Sequence, residues 1–188
     1  VEYPKDDPHG RVCFVGELDR EGRRHGVGTI WWLDGSCYEG EWVADSPDGS
    51  GIETYPDGSY YGGDFRKDQR QGWGVYSKAD GSSYSGNWKD GALVGTSIVA
   101  RVGPDGGVTL SAVVCGEAEG SEVSDEEFGR VEVAVQEMIE RTEKIANEAR
   151  RDAAVYAEEA KTLNSTNMAA SSPLAKPTLL RNTAGLKE

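Results

Sequence analysis

Between residues 38 and 91 rings and glycines alternate with polar residues in one repeated word. Tyr38, Tyr61 and Tyr84 open it, Gly40, Gly63 and Gly86 follow two residues later, and Trp42, Phe65 and Trp88 two after that. Gly49, Gly72 and Gly95 keep the same offset, so the period is 23 residues. A fixed period in this range marks a repeat architecture. Upstream the word recurs as Phe14, Gly16 and Leu18, with one residue inserted within Asp19–His25, where a loop tolerates it. Downstream Gly95 keeps the register, Ser97 replaces the second glycine, and the pattern decays.

Within a unit, Tyr38, Gly40 and Trp42 alternate and share one face of a strand. The polar run Val43–Asp48 turns the chain, Gly51–Tyr55 forms a second short strand, and Asp57-Gly58 is a tight-turn signal leading into the next word. Each unit is therefore a β-hairpin, and successive hairpins join edge to edge. The glycines let a ring from a neighbouring strand lie flat where no Cβ intervenes. The plainest role of the rings is the packing ladder of the repeat itself.

Flanking segments differ in character. Residues 1–13 form a flexible lead-in or a first strand, and 14–97 hold the repeats. Residues 98–115 are β-branched and apolar around a Gly103–Gly107 turn. They make a closing hairpin that caps the array, or else an edge that pairs with a partner's strand. Residues 116–123 are a Gly/Glu linker. Ser124-Asp125-Glu126-Glu127 is a capping box opening a long helix over 124–163. Its stripe runs through Phe128, Val131, Val135, Met138, Thr142, Ile145 and Ala149 in steps of three and four. Glu137–Arg141 and Glu140–Lys144 add pairs four apart. Three fates for the stripe stay open: folding back on the sheet, a coiled coil or bundle with a partner or a second copy, or a solvated helix. Residues 164–188, rich in Ser, Ala and Pro, read as an extended or disordered tail.

Composition narrows the chemistry. The 188 residues carry a formal net charge of −13, which argues against nucleic acid and against an anionic membrane surface. No run approaches the roughly 20 apolar residues of a membrane span. Cys13 and Cys37 fall on equivalent repeat positions about 10 Å apart, too far for a disulfide. Free thiols and a reducing compartment follow. His9 and His25 have no ligand-type neighbours at metal spacing, and no nucleophile–base constellation or phosphate loop can be assembled. Gly-x-Gly at Gly26, Gly49 and Gly72 lacks the strand-to-helix context of a dinucleotide site. No catalytic, cofactor-binding or metal residue is assigned, and a non-enzyme is expected. The first residue is Val1, compatible with a piece of a longer protein.

The words YEGEW…DGSGIETYPDG, HGVGTIWWLDG and GWGVYSKADG resemble the MORN repeat (membrane occupation and recognition nexus) over about residues 14–97. Leu18 stands where Trp is usual, Ser97 breaks the last glycine pair, and Glu53 and Lys78 occupy places usually aromatic. The resemblance implies an elongated single-layer antiparallel sheet of hairpins; with the helix read from residues 124–163 as a C-terminal extension, the expected fold is mainly β plus one long α-helix. It also implies a scaffold in a cytoplasmic assembly of the cilium, flagellum or cytoskeleton. Protein partners would be received by the ring face (Tyr38, Trp42, Tyr61, Phe65, Tyr84, Trp88) and by the helix (Phe128, Val131, Val135, Met138, Ile145), with homo-oligomerisation through the helix as one form. Two alternatives come with it, a phospholipid-binding membrane tether and a regulatory domain of a larger enzyme.

Overall fold

The structure, a computed structural model, describes residues 1–115 and 123–169, with side chains through residue 159. The chain forms two compact units, Val1–Tyr156 and Ala157–Glu188. Of the second, the described part is the end of one helix through Ala169. The linker expected at 116–123 lies outside the described residues except for Val123. So does the tail expected at 164–188, apart from 164–169, which continue the helix.

The first unit holds a single antiparallel sheet of nine strands in sequence order. They are β1 (Arg11–Leu18), β2 (Arg24–Trp32), β3 (Cys37–Val43), β4 (Ser46–Thr54), β5 (Tyr60–Arg66), β6 (Gln69–Ser77), β7 (Ser83–Lys89), β8 (Ala92–Val102) and β9 (Val108–Cys115). Helix α1 runs Asp125–Ala169, past the expected end at Leu163 through Asn164–Ala169. Nothing in Asn164–Ala169 stops a helix, since the first proline is Pro173.

Two kinds of turn alternate. The turn expected over Val43–Asp48 is tighter than that: Ala44 and Asp45, both with positive φ, complete it. Pro47 and Asp48 already belong to β4. Lys67-Asp68 and Asp90-Gly91 repeat this two-residue turn, whose left-handed backbone matches the twist of the strands it joins. Each turn leans on the preceding hairpin, as when the Asp45 N–H donates to the Arg24 carbonyl and that of Asp68 to Pro47. The other connections are loops of four or five residues. In them Asp34, Asp57 and Asp80 accept the backbone N–H and hydroxyl of Ser36, Ser59 and Ser82. These bonds hold all three carboxyls below the ordinary range, the serine hydroxyl being the main cause. The same loop closes β8–β9, where Asp105 accepts from Gly107 N–H. The inserted residue lies in the β1–β2 loop, where Asp19 plays this part.

The sheet has two chemically distinct faces. One carries Phe14, Ile30, Tyr38, Trp42, Tyr61, Phe65 and Trp88 as a buried cluster. Helix α1 lies on the other. There Val131, Val135 and Met138 pack on Trp73, Val75 and Ile98, each such side chain contributing about 1.5–3 kcal/mol. The stripe folds back on its own sheet, so of its three open fates the first is the one observed. Ser124 caps the helix as expected, its hydroxyl accepting the Glu127 N–H. The Glu127 carboxylate does not return the bond and instead accepts from the Thr96 hydroxyl of β8.

Candidate interaction surfaces

The ring face is a closed ladder. Phe14, Trp42, Tyr38, Phe65, Tyr61 and Trp88 meet in that order, edge to face, with centroids 5.0–5.4 Å apart. This geometry suits the ring quadrupoles. The polar end of each Tyr and Trp is satisfied. Trp42 and Trp88 donate to the carbonyls of Gly28 and Gly74 at 3.0 and 3.1 Å. Tyr38 and Tyr61 donate to those of Glu41 and Asp64. Burial, with the nearby carboxylates Glu41 and Asp64 adding to it, pushes both phenols well above their usual range.

Glycines make the ladder fit. Tyr38 lies over Gly40 of its own strand as well as Gly51 of the next. A Cβ on Gly40 would stand 2.5 Å from the Gly51 Cα, and one on Gly63 2.6 Å from the Gly74 Cα. In the last unit Ser97 faces Gly86, so no glycine pair is left for Tyr84 to cover. Tyr84 is only half-buried and accepts a hydrogen bond from Lys78 Nζ at 3.1 Å. Glu53, the other non-aromatic departure, pairs with Arg70 at 3.9 Å. The Arg70 guanidinium lies 4.8–5.7 Å from the ring centres of Tyr55, Tyr61, Tyr76 and Trp88. Arg24 covers Trp42 in the same way at 4.4 Å.

Of the residues expected to receive a partner, Tyr38, Trp42, Tyr61, Phe65 and Trp88 are thus 0–6% exposed. They interlock with one another edge to face, and their face is not the one that takes the helix. Of the helix residues, Val131, Val135 and Met138 are buried on the sheet, while Phe128 and Ile145 are half-buried.

The joint between α1 and the sheet uses residues that periodicity alone does not single out. Arg141 donates from Nε to the Ser50 hydroxyl at 2.9 Å and from Nη2 to Asp64 at 2.6 Å. It therefore serves the sheet, not the expected pair with Glu137. Arg150 grips Glu39 with Nε at 2.8 and 3.0 Å and with Nη2 at 2.6 Å. Between them Thr142 stands over Gly62, and Ala146 and Ala149 are buried with no exposed surface. The Thr29 hydroxyl, fully buried on the same face, has no hydrogen-bond partner. One signal was available: positions 29, 52, 75 and 98, one repeat apart, read Thr, Ile, Val and Ile, and 39, 62 and 85 read Glu, Gly and Ser. Such variation between repeats marks a face that meets something non-repeating.

Cys13 and Cys37, both register neighbours of Trp31, and Cys115 are free thiols. Burial pushes the first two above the ordinary thiol range. A shallow recess is lined by Arg66, Lys67, Gln69, Gln71 and Asp90. No helix among the described residues is long and apolar enough to cross a membrane.

No curated protein matches the chain. The family model for the MORN repeat matches four consecutive segments, residues 15–37, 38–60, 61–83 and 84–96. Their common boundary falls just before each opening Tyr, at the start of the three ladder-bearing words. With the hairpins, the glycine pairs and the ring ladder all in that register, the chain is a MORN-repeat protein over residues 15–96.

Proposed function

We propose that this chain is a non-catalytic protein-interaction scaffold, serving a cytoplasmic assembly of the ciliary or cytoskeletal kind suggested by the repeat. The observation that carries this reading is where the apolar surface has gone. The ring ladder is buried inside the first unit, and the α1 stripe is buried there at Val131, Val135 and Met138 and half-buried at Phe128 and Ile145. This leaves a composite platform whose outer helix face is mainly polar, with Val133 and Val155 as its exposed apolar residues. That face exposes Glu132, Glu137, Glu140, Glu143, Glu148 and Asp152 against Arg130, Lys144 and Arg151, while Arg141 and Arg150 turn to the sheet. A basic strip on a partner protein complements it. Affinity capture with crosslinking tests this. Crosslinks from Lys144 to a partner, and loss of capture in E137K/E140K/E148K with an unchanged circular dichroism spectrum, are the expected results. Undiminished capture by that variant would sink the proposal.

A second reading, a phospholipid tether, draws on the recess in which Arg66 and Lys67 stand beside two glutamine amides. This donor set suits a phosphate, though the net charge of −13 opposes approach to an anionic bilayer. Salt-sensitive flotation with anionic liposomes, abolished in R66E/K67E, would move this reading ahead of the first.

A further inference from the structure

β9 ends the sheet, and among the described residues only β8 pairs with it. Its outer edge therefore offers a row of backbone N–H and C=O groups. Soluble sheets guard such an edge with proline, charge, a bulge or a covering segment. The opposite edge of this sheet is guarded in that way. The Val1 ammonium donates to the Phe14 carbonyl at 2.5 Å, Tyr3 N–H to that of Val12 at 3.0 Å, and Glu2 bridges Cys13, with Pro4 ending the strip. Among the described residues β9 has none of these devices. Val108–Cys115 contains no charged residue and no proline. Its ladder with β8 runs without a register shift. Val108 and Leu110 are 64% and 59% exposed.

We propose that β9 pairs antiparallel with β9 of a second copy of this chain, joining the two sheets across a two-fold axis. Charge selects both the occupant and the orientation. Two chains of net charge −13 repel over most of their surface. The β8–β9 hairpin is where they can meet, since from Ala92 to Cys115 the only ionised side chains are Arg101 and Asp105. A parallel pairing would bring the two Cys115 ends together, each followed in sequence by Glu117, Glu119, Glu122 and Asp125–Glu127. The antiparallel pairing separates those ends and sets each beside the Arg101 end of the other copy.

The side chains agree. Ile98 is in register with Ala112 and Ala100 with Leu110, so Val108, Leu110, Ala112 and Val114 share the α1 face of the sheet. With the axis at Ser111 or Ala112, Leu110 of one copy faces Ala112 or Val114 of the other. That covers Leu110, and with the axis at Ser111 also Val108, which then faces Val114, and it extends the apolar cluster formed by Ile98, Val75 and Val131. The association through α1 considered from sequence is not needed, because the α1 stripe is already covered.

Sedimentation velocity of the full chain across a concentration series is the test. The wild-type chain is expected to shift to twice the monomer mass, with a dissociation constant in the range of about 1–100 μM. V108K/L110K changes two exposed side chains and sets like charges across the axis. It is expected to weaken association at least about ten-fold with an unchanged circular dichroism spectrum. Hydrogen exchange of the wild-type chain gives a second readout that needs no variant: amides of Val108–Cys115 should gain protection with concentration while those of β1 do not. A wild-type chain that stays monomeric, a dimer that V108K/L110K leaves intact, or concentration-dependent protection confined to α1 or β1 would each overturn the proposal.

Discussion

The glycine pairs under the tyrosines are the most sharply constrained positions in the sheet. Gly74 lies against the Tyr61 ring, and its backbone is not in the left-handed region, so the constraint is space, not conformation. Gly74→Ala should therefore cost about 1–3 kcal/mol through overpacking, read as a lower urea midpoint. Gly74→Ala/Tyr61→Leu should cost less than the two single changes summed, because the added methyl no longer meets a ring. Full additivity of the two changes would mean the clash is not the cause. Thr29 makes the opposite case. Its buried hydroxyl is without a partner, so Thr29→Val removes a polar group that nothing satisfies. Stability should stay level or rise by up to about 1 kcal/mol. A loss of more than that would point to a hydrogen bond, for instance through water, that the geometry does not show.

At the scale of elements, α1 is held by two different kinds of contact. Val131, Val135 and Met138 supply apolar burial near β6 and β8, whereas Arg141 and Arg150 supply ion pairs to Asp64 and Glu39. Both arginines are about half exposed, so each pair contributes no more than about 1 kcal/mol. Met138→Ala should cost about 2–4 kcal/mol. Arg150→Ala should cost little globally but raise hydrogen exchange in the helix around it. Equal protection of wild type and Arg150→Ala would show that Glu39 is not a latch. This division also explains what was legible in advance. The ladder face repeats, so Tyr38, Gly40 and Trp42 declare their strand, their face and their neighbours through period alone. The stripe on α1 was legible as well, through Val131, Val135 and Met138. Which face it covers was not. Glu39, Ser50 and Asp64 bear no periodic relation to Arg141 and Arg150, so the match between a repeating and a non-repeating element shows only as variation between repeats on the covered face and does not say which side chains meet. The rings carry a different ambiguity: a regular row of large rings reads alike whether it waits for a partner or interlocks with itself, and here it interlocks.

For the first unit as a whole, acid sensitivity follows from the loops. The Asp34, Asp57 and Asp80 carboxyls are held low by serine hydroxyls and backbone amides, and Asp7 is held low by the Arg11 side chain. A folded-state pKa below the unfolded one gives stability that is fully present above the ordinary carboxylate value and is lost as pH falls through the depressed values. Neutralising the net charge of −13 acts in the opposite sense. Thermal stability should therefore hold level or rise on acidification to about pH 5 and fall below about pH 4. Asp57→Asn/Asp80→Asn should flatten that fall, and an unchanged acid slope would remove these loops as its cause. The crossing of α1 over the strands has a further consequence, for how long such an array can be. On the ladder face each rung touches only its neighbours, so nothing there limits the number of units. On the other face Arg141 meets β4 and β5, and Arg150, nine residues on, meets β3. About 14 Å of helix thus spans the roughly 10 Å of one two-stranded unit. The helix acts as a ruler that counts the hairpins beneath it. A lineage that gained one 23-residue unit inside the sheet would have to lengthen this ruler by about nine residues or lose the register of every contact beyond the insertion.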